Sequence, residues 1–210
     1  MINIKDNQRI LFIGDSITDV SFNRRFNRSI GGRNVYCLQV AKKLKKKHKG
    51  LKFFFKGIAS NRTYHLYDRL TKDCINLKPD LIIMLIGVND AWENYVPEQY
   101  PPLLRPMEPH VKEIYRRIKT ELPNAKIVTL LPFLISTIEE KQPFHGVLNK
   151  FIEKLNELAT GYADEIIALQ PIFDNAEQKY APILLARDSV HPTSLGHEVI
   201  AKAVLKVLSY

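Results

Sequence analysis

Cysteine is scarce in this sequence, and its scarcity limits the kinds of site that the chain can build. The 210 residues include two cysteines, Cys37 and Cys74, without a CxxC pair or a nearby cluster of His and Asp. Structural zinc sites and disulfide frameworks need several such ligands at short spacings. We therefore expect neither a metal site nor a disulfide framework, and a chain suited to the reducing cytoplasm.

Long apolar runs are missing as well. The first run, Ile10–Ile13, ends at Gly14-Asp15, and it is far shorter than the roughly 20 residues of a membrane span or the core of a signal peptide. We expect no targeting segment, no membrane partner and a cytoplasmic location. A hydrophobic content of 45% is enough for one sizeable core, and so we predict a single domain over residues 1–210.

Acidic residues are outnumbered, since 22 Asp and Glu face 31 Lys and Arg, which gives a formal charge of +9. The densest basic run lies between Lys42 and Lys49 and could bind a nucleic acid or an anionic surface. The same segment carries apolar residues at helical spacing, at Val35, Leu38, Ala41 and Leu44. We favour a helix whose solvated face holds the lysines. We predict no nucleic-acid partner, because no known nucleic-acid-binding motif accompanies the charge.

What the sequence does contain is an alternation of short apolar runs with longer segments of helical period. The runs suit strands buried on both faces and are Ile10–Ile13, Phe53–Phe55, Leu81–Ile86, Ile127–Leu131 and Ile166–Leu169. The candidate helices are Asn34–His48, Tyr64–Leu77, Val111–Leu122, Val147–Tyr162 and Leu195–Leu208. This pattern predicts an α/β fold, a three-layer α/β/α sandwich with a flavodoxin-like, five-stranded parallel sheet ordered 2-1-3-4-5.

Three predicted connections are long, at residues 20–33, 92–109 and 132–146. Each follows the carboxyl end of a predicted strand, which is where open α/β sheets bind their ligands. The second connection is rich in proline, which predicts a fixed wall rather than a flexible linker. We therefore expect the functional site at this edge.

Polar residues follow the first and third predicted strands. Gly14-Asp15-Ser16 places a hydroxyl at the end of the first strand, which suits either a nucleophile or a turn that satisfies its own backbone. Gly87-Val88-Asn89 brings a carboxamide to the same edge, either as a donor to a developing oxyanion or as an Asx-turn.

Asp188 and His191 stand three residues apart, just ahead of the last predicted helix. The carboxylate can accept from Nδ1–H of the imidazole and leave Nε2 to face a nucleophile from elsewhere in the fold. The alternative is that both side chains only cap the helix.

The order of these blocks is that of a known family. The blocks are Gly14-Asp15-Ser16, the turn at 57–61, Gly87-Val88-Asn89-Asp90 and Asp188-Ser189-Val190-His191. With them the chain resembles the SGNH/GDSL hydrolases. Further stretches, Lys78-Pro79-Asp80 and Val190-His191-Pro192-Thr193 among them, look like the branch that contains acetylxylan esterases.

The resemblance implies a serine esterase that needs no cofactor. Ser16 is then the nucleophile, His191 the general base and acid, and Asp188 its orienting partner. The Ser16 N–H, Asn89 and the N–H of Ser60 then form the oxyanion hole. The family usually has glycine where this chain has Ser60, and a Cβ there would crowd the pocket unless the local dihedrals suit it.

The resemblance also implies a small-molecule or oligosaccharide ester substrate, such as an acetylated xylo-oligosaccharide. Oligomers are known in this branch, and so a homo-oligomer is a further expectation. The candidate substrate-binding residues are Asp15, Trp92 and Tyr95. Trp92 could stack on a sugar ring or only pack its own loop.

Two other functions stay open. One is an acyl hydrolase of the lysophospholipase or thioesterase type. The other is a non-catalytic binding module, which Ser60 and the basic segment Arg24, Arg25, Arg28 and Arg33 make conceivable.

Overall fold

The computed structural model of the protein describes residues 1–26, 34–96 and 106–210. Its strands are β1 (Ile2–Asn3), β2 (Arg9–Gly14), β3 (Lys52–Gly57), β4 (Leu81–Leu85), β5 (Lys126–Leu131), β6 (Glu165–Ala168) and β7 (Leu208–Ser209). Five of them form a parallel sheet in the order β3-β2-β4-β5-β6, and β1 pairs with β7 separately. The α/β class and the predicted strand order, counted within this sheet, are confirmed.

Ten helices lie within the described residues. They are α1 (Val20–Phe26), α2 (Tyr36–Lys45), α3 (Thr63–Asp68), α4 (Leu70–Asp73), α5 (Val88–Tyr95), α6 (Met107–Glu121), α7 (Phe144–Ala159), α8 (Leu169–Glu177), α9 (Pro182–Leu185) and α10 (Ser194–Lys206). Short 3-10 turns cover Ile75–Leu77 and Glu139–Lys141. No described helix combines the length and the apolar content needed to cross a membrane.

Alternate residues of each central strand face opposite sides of the sheet. On β2, Ile10 and Phe12 pack into a core shared with α2, α8 and α10. Leu11 and Ile13 pack into a second core shared with α3, α6 and α7. Helices therefore cover both faces, which is why the strands read as continuous apolar runs.

The basic run on α2 has the helical arrangement that its spacing predicts. The buried residues are Tyr36, Cys37, Val40, Ala41 and Leu44, and every lysine from Lys42 to Lys49 is exposed. The lysines thus form the solvated side and the end of an amphipathic helix.

The three long connections contain more helix than the sequence predicts. Helix α1 begins at Val20, α5 occupies Val88–Tyr95, and α7 begins at Phe144. The predicted connection at 92–109 is wrong at residues 92–95, because Gly87, at φ 119°, lets a helix start directly after β4. Arg28 and Arg33, and Pro97, Pro101 and Pro102, lie outside the described residues, as do the side chains of Arg24 and Arg25.

The predicted helix at Tyr64–Leu77 is interrupted. It divides into α3, α4 and a 3-10 turn, with a break at Arg69, whose φ and ψ are −99° and 4°. The guanidinium of Arg69 bonds to the main-chain oxygens of Gly14 and Lys56. Tertiary contacts of this kind override helical periodicity.

Candidate active site

The turn after β2 holds Ser16 at the carboxyl edge of the sheet. The main-chain oxygen of Asp15 accepts from the N–H groups of Thr18 and Asp19, at 3.1 and 3.0 Å. The Asp15 carboxylate accepts from the N–H of Ile17 at 3.0 Å. Ser16 is only 4% exposed, and these hydrogen bonds fix the turn that carries its hydroxyl.

The loop before α10 brings a carboxylate to an imidazole. Asp188 Oδ2 lies 2.6 Å from Nδ1 of His191, and Asp188 Oδ1 accepts from the N–H groups of Val190 and His191. Burial pushes the pKa of Asp188 upward, but the hydrogen bonds and the charge of His191 outweigh burial and lower this pKa to about 2. Asp188 is therefore a carboxylate at neutral pH.

The two segments meet at Ser16 and His191. Ser16 Oγ lies 2.9 Å from Nε2 of His191, although 175 residues separate them in the chain. Helix α10 is capped by the side chain of Thr193, which accepts from the N–H of Gly196, and not by Asp188 or His191. A hydroxyl, an imidazole and a carboxylate in this sequence of bonds can form and break an acyl ester.

The turn after β3 approaches the same edge. The N–H of Ile58 bonds to the oxygen of Gly14, and the N–H of Ala59 bonds to Oδ2 of Asp19. A Cβ at Gly57 would collide with the main chain of Thr18 and Asp19, and so only glycine allows this approach.

Ser60, in the same turn, has a φ of 63°. This is the left-handed conformation that glycine adopts freely, and the side chain of Ser60 is exposed. Ser60 thus has the backbone conformation that a glycine would adopt here, although it carries a Cβ. A role of its N–H as an oxyanion donor stays a prediction.

Asn89 lies in the first turn of α5 and contacts the turn after β3. Its Nδ2 donates to the main-chain oxygen of Asn61 at 3.0 Å, rather than forming an Asx-turn of its own. A carboxamide has two N–H donors, and the second one has no partner among the described residues.

A cavity of about 150 Å³ lies beside His191. Its lining residues are Val88, Asn89, Trp92, Lys141, Phe144, Asp188, Val190 and His191. Trp92 is half-buried, with its ring edge-on to Phe144 at 5.1 Å and the ammonium of Lys141 5.6 Å over its face. Tyr95 packs behind Trp92 and Phe144 and does not line the cavity.

Two buried carboxyls lie beneath the site. Asp15 is fully buried and its Oδ2 has no partner among the described residues, and desolvation raises its pKa to about 7. Asp90 accepts from the hydroxyl and N–H of Thr63, while burial raises its pKa to about 6. The burial of Asp15 argues against substrate contact, and that role stays a prediction.

The sequence profile of the GDSL-like lipase/acylhydrolase family matches residues 12–199, which include all of the side chains just described. The chain belongs to this family. It is a carboxylic ester hydrolase, and the resemblance stated from the sequence is confirmed.

Relatives of this GDSL hydrolase match it over nearly their whole length. An acetylxylan esterase from Geobacillus stearothermophilus is 27% identical over 100% of this chain and 97% of its own. The crystal structure of that organism's Axe2, an acetylxylan esterase, is 28% identical with a TM-score of 0.80, covering 97% of this chain and 94% of its own. A protein crystallised as a GDSL-like lipase from Parabacteroides merdae is 28% identical with a TM-score of 0.81, covering 98% and 97%.

The Axe2 structures include catalytic mutants in which a serine, an aspartate or a histidine is replaced by alanine. These are the three residue types that meet in this GDSL hydrolase at Ser16, Asp188 and His191. Within the described residues, no group of three His, Cys, Asp or Glu side chains could hold a metal ion.

Two residues around the GDSL hydrolase site are not predicted from the sequence. Arg69 bonds through Nε to the side-chain oxygen of Asn61 and through its NH2 group to the oxygen of Gly14. Lys141 donates from Nζ to the main-chain oxygen of Asp188 at 2.7 Å. Neither residue stands in a motif, and only the folded chain brings them to the catalytic edge.

Proposed function

We propose that this GDSL hydrolase is a serine esterase that removes short acyl groups, acetyl above all, from carbohydrates such as acetylated xylo-oligosaccharides. The observation that carries the proposal is the bonded series Ser16 Oγ, His191 and Asp188, with distances of 2.9 and 2.6 Å, beside a small cavity. The similarity to acetylxylan esterases at 27–28% identity supports the choice of substrate.

The reaction is a two-step acyl transfer. His191 Nε2 takes the proton of Ser16 as Oγ attacks the ester carbonyl, and Asp188 stabilises the imidazolium that forms. The Ser16 N–H, the second N–H of Asn89 and the Ser60 N–H stabilise the charge on the carbonyl oxygen. His191 then gives this proton to the sugar oxygen as its bond to the acyl carbon breaks. A water molecule, deprotonated by His191, attacks the acyl-enzyme, and His191 returns that proton to Ser16 Oγ as the acid leaves.

The size of the cavity favours short acyl groups. An acetyl group fits a cavity of about 150 Å³. The half-buried face of Trp92 at the same cavity suits the apolar face of a sugar ring.

The test is a chain-length series of p-nitrophenyl acetate, butyrate and octanoate with the wild type and Ser16→Ala. We expect a steep preference for acetate and a loss of turnover of about 10⁴-fold or more in the variant. Release of acetate from acetylated xylo-oligosaccharides then tests the carbohydrate. Full activity of Ser16→Ala would remove Ser16 from the mechanism.

A preference for octanoate would favour the lipid or thioester alternative instead. Salt-dependent binding of an acidic oligosaccharide without hydrolysis of any ester would favour a binding module. The matched control is Ser209→Ala, an exposed position on β7 outside the site.

A further inference from the structure

A buried pair of polar side chains lies behind the nucleophile turn. Asn23 is on α1 and His197 is on α10, and they are 0% and 2% exposed. His197 Nε2 lies 3.0 Å from Oδ1 of Asn23. Asn23 Nδ2 donates to the main-chain oxygens of Ser16 and Asp19 at 2.7 and 2.8 Å. The carbonyl of the nucleophile is therefore bound by a residue that His197 orients.

The bonds define where the proton of His197 lies. Because the NH2 group of Asn23 donates to main-chain oxygens, its Oδ1 faces the imidazole as an acceptor, and Nε2 of His197 is the donor. Burial lowers the pKa of His197 to about 3, and so the ring is neutral at working pH. Its Nδ1 is buried and has no partner among the described residues.

The pair connects the two segments that must meet for acyl transfer. His197 lies in the first turn of α10, where its N–H bonds to the oxygen of Thr193 at 2.8 Å, and His191 lies just before that helix. Asn23 belongs to the segment that follows Ser16. One rigid helical turn thus carries His197 beside the loop of His191.

Tyr36 closes the arrangement from the core side. Its ring stacks on the imidazole of His197 with centroids 6.3 Å apart, and its hydroxyl lies 2.9 Å from Oγ1 of Thr18 in the nucleophile turn. A buried nitrogen without a partner costs stability. An imidazole at this position therefore has a use other than filling the core.

We propose that Asn23 and His197 are a positioning pair, which holds the Ser16 carbonyl so that Oγ keeps its alignment with His191. The inference rests on the proposed function, in which Ser16 is the nucleophile. Neither residue touches the substrate; both act through the backbone of Ser16.

The test compares His197→Leu with His197→Gln, because the glutamine amide nitrogen can replace Nε2 as the donor to Asn23 and leucine cannot. On p-nitrophenyl acetate we expect His197→Leu to lower kcat about 10- to 100-fold with KM within about two-fold. We expect His197→Gln to keep at least about a third of the wild-type kcat. Titration of Ser16 with a fluorophosphonate gives kcat per reactive molecule, which removes any effect of unfolded protein.

Thr129→Val is the matched control. Thr129 is buried on β5 and bonds to the hydroxyl of Tyr115 at 2.6 Å, away from the catalytic residues. It should lose stability and keep its kcat. If His197→Leu does not fold, Asn23→Ser makes the same comparison, because it deletes the donors to the Ser16 oxygen and keeps the imidazole.

An unchanged kcat per titrated site in His197→Leu, or in Asn23→Ser where that variant replaces it, would overturn the positioning role. An equal loss in His197→Gln and His197→Leu would overturn it as well. The proposed function fails separately, if the wild type hydrolyses no ester or if Ser16→Ala keeps full activity.

Discussion

Asn89 Nδ2 and the main-chain oxygen of Asn61 are joined by a hydrogen bond of 3.0 Å. The turn after β3 therefore holds the carboxamide at the start of α5. Arg69 holds Asn61 in turn, through Nε at 2.8 Å. The oxyanion donor proposed for Asn89 is thus oriented before any substrate arrives, which is the condition under which such donors are most effective.

Asn89→Ala tests this donor. We expect kcat on p-nitrophenyl acetate to fall about 10²- to 10³-fold, because one N–H to the developing oxyanion is lost. Steady-state kinetics and fluorophosphonate titration of Ser16 give the value. Asn94→Ala, on the exposed side of the same helix, is the control, and a loss below about three-fold in Asn89→Ala would argue against the donor.

Ser60→Gly tests the effect of a side chain at a left-handed position. The φ of 63° costs a non-glycine residue roughly 1–2 kcal/mol in the folded state. Glycine relieves this strain, but it also makes the unfolded chain more flexible, which lowers the free energy of unfolding by up to ~1 kcal/mol. We expect thermal unfolding to show a stability gain of up to about 1 kcal/mol, with kcat little changed. Ser60→Ala, which keeps the Cβ and drops the hydroxyl, should show no such gain.

A rise in kcat above about ten-fold in Ser60→Gly would mean that the Cβ of Ser60 crowds the oxyanion hole. An equal rise in Ser60→Ala would assign the crowding to the hydroxyl instead.

Asp15→Asn tests the buried carboxyl. Desolvation raises the pKa of Asp15 from 3.8 to about 7, against the lowering effect of the Ile17 N–H and of the charge on His191. Between these two pH values the folded chain keeps a proton that the unfolded chain has released, and so this contribution to stability falls as the pH rises from about 4 to 7. Asparagine stays neutral and still accepts from Ile17.

We therefore expect the Tm of Asp15→Asn to gain on the wild type as the pH rises through that window. Thermal unfolding at several pH values measures the difference. Asp174→Asn, at an exposed position, should run parallel to the wild type. A constant offset between Asp15→Asn and the wild type would contradict the raised pKa.

Trp92→Ala separates the two roles of the indole ring. If Trp92 binds a sugar ring, kcat/KM on an acetylated xylo-oligosaccharide should fall by at least about ten-fold more than on p-nitrophenyl acetate. Equal losses on both substrates would mean that the ring only packs against Phe144. Tyr95→Phe, which keeps the ring behind Trp92, should change neither value.

The sequence predicts much of this fold because burial leaves a direct pattern. Residues 10–13 and 81–85 are buried on both faces of the sheet, and continuous apolar runs are the pattern of such strands. The sequence does not predict helix α5, because its segment continues into a proline-rich stretch that favours a loop, although the helix ends at Tyr95, before the first of these prolines. The break between α3 and α4 at Arg69 depends on contacts with β2 and β3 that no local sequence pattern predicts.

Some residues of the site can likewise be predicted from the sequence, and others cannot. Ser16, Asn89, Asp188 and His191 stand in short motifs, and their order along the chain made them predictable. Asn23 and His197 are 174 residues apart in the chain, and the local sequence around each predicts only an ordinary helical residue. Lys141 reaches Asp188 only because the 3-10 turn at Glu139–Lys141 lies against the loop before α10. Contacts of this kind follow from tertiary packing and have no signature in a single sequence.

Trp92 is the one tryptophan in the chain, and it lines the cavity with a lysine ammonium over its ring. All of the protein's indole emission therefore originates from a side chain that lines the same cavity as His191. A ligand that enters beside His191 changes the polarity around a single fluorophore. The molecule thus carries its own optical probe of occupancy, which needs no label and reports on Ser16→Ala as readily as on the active enzyme.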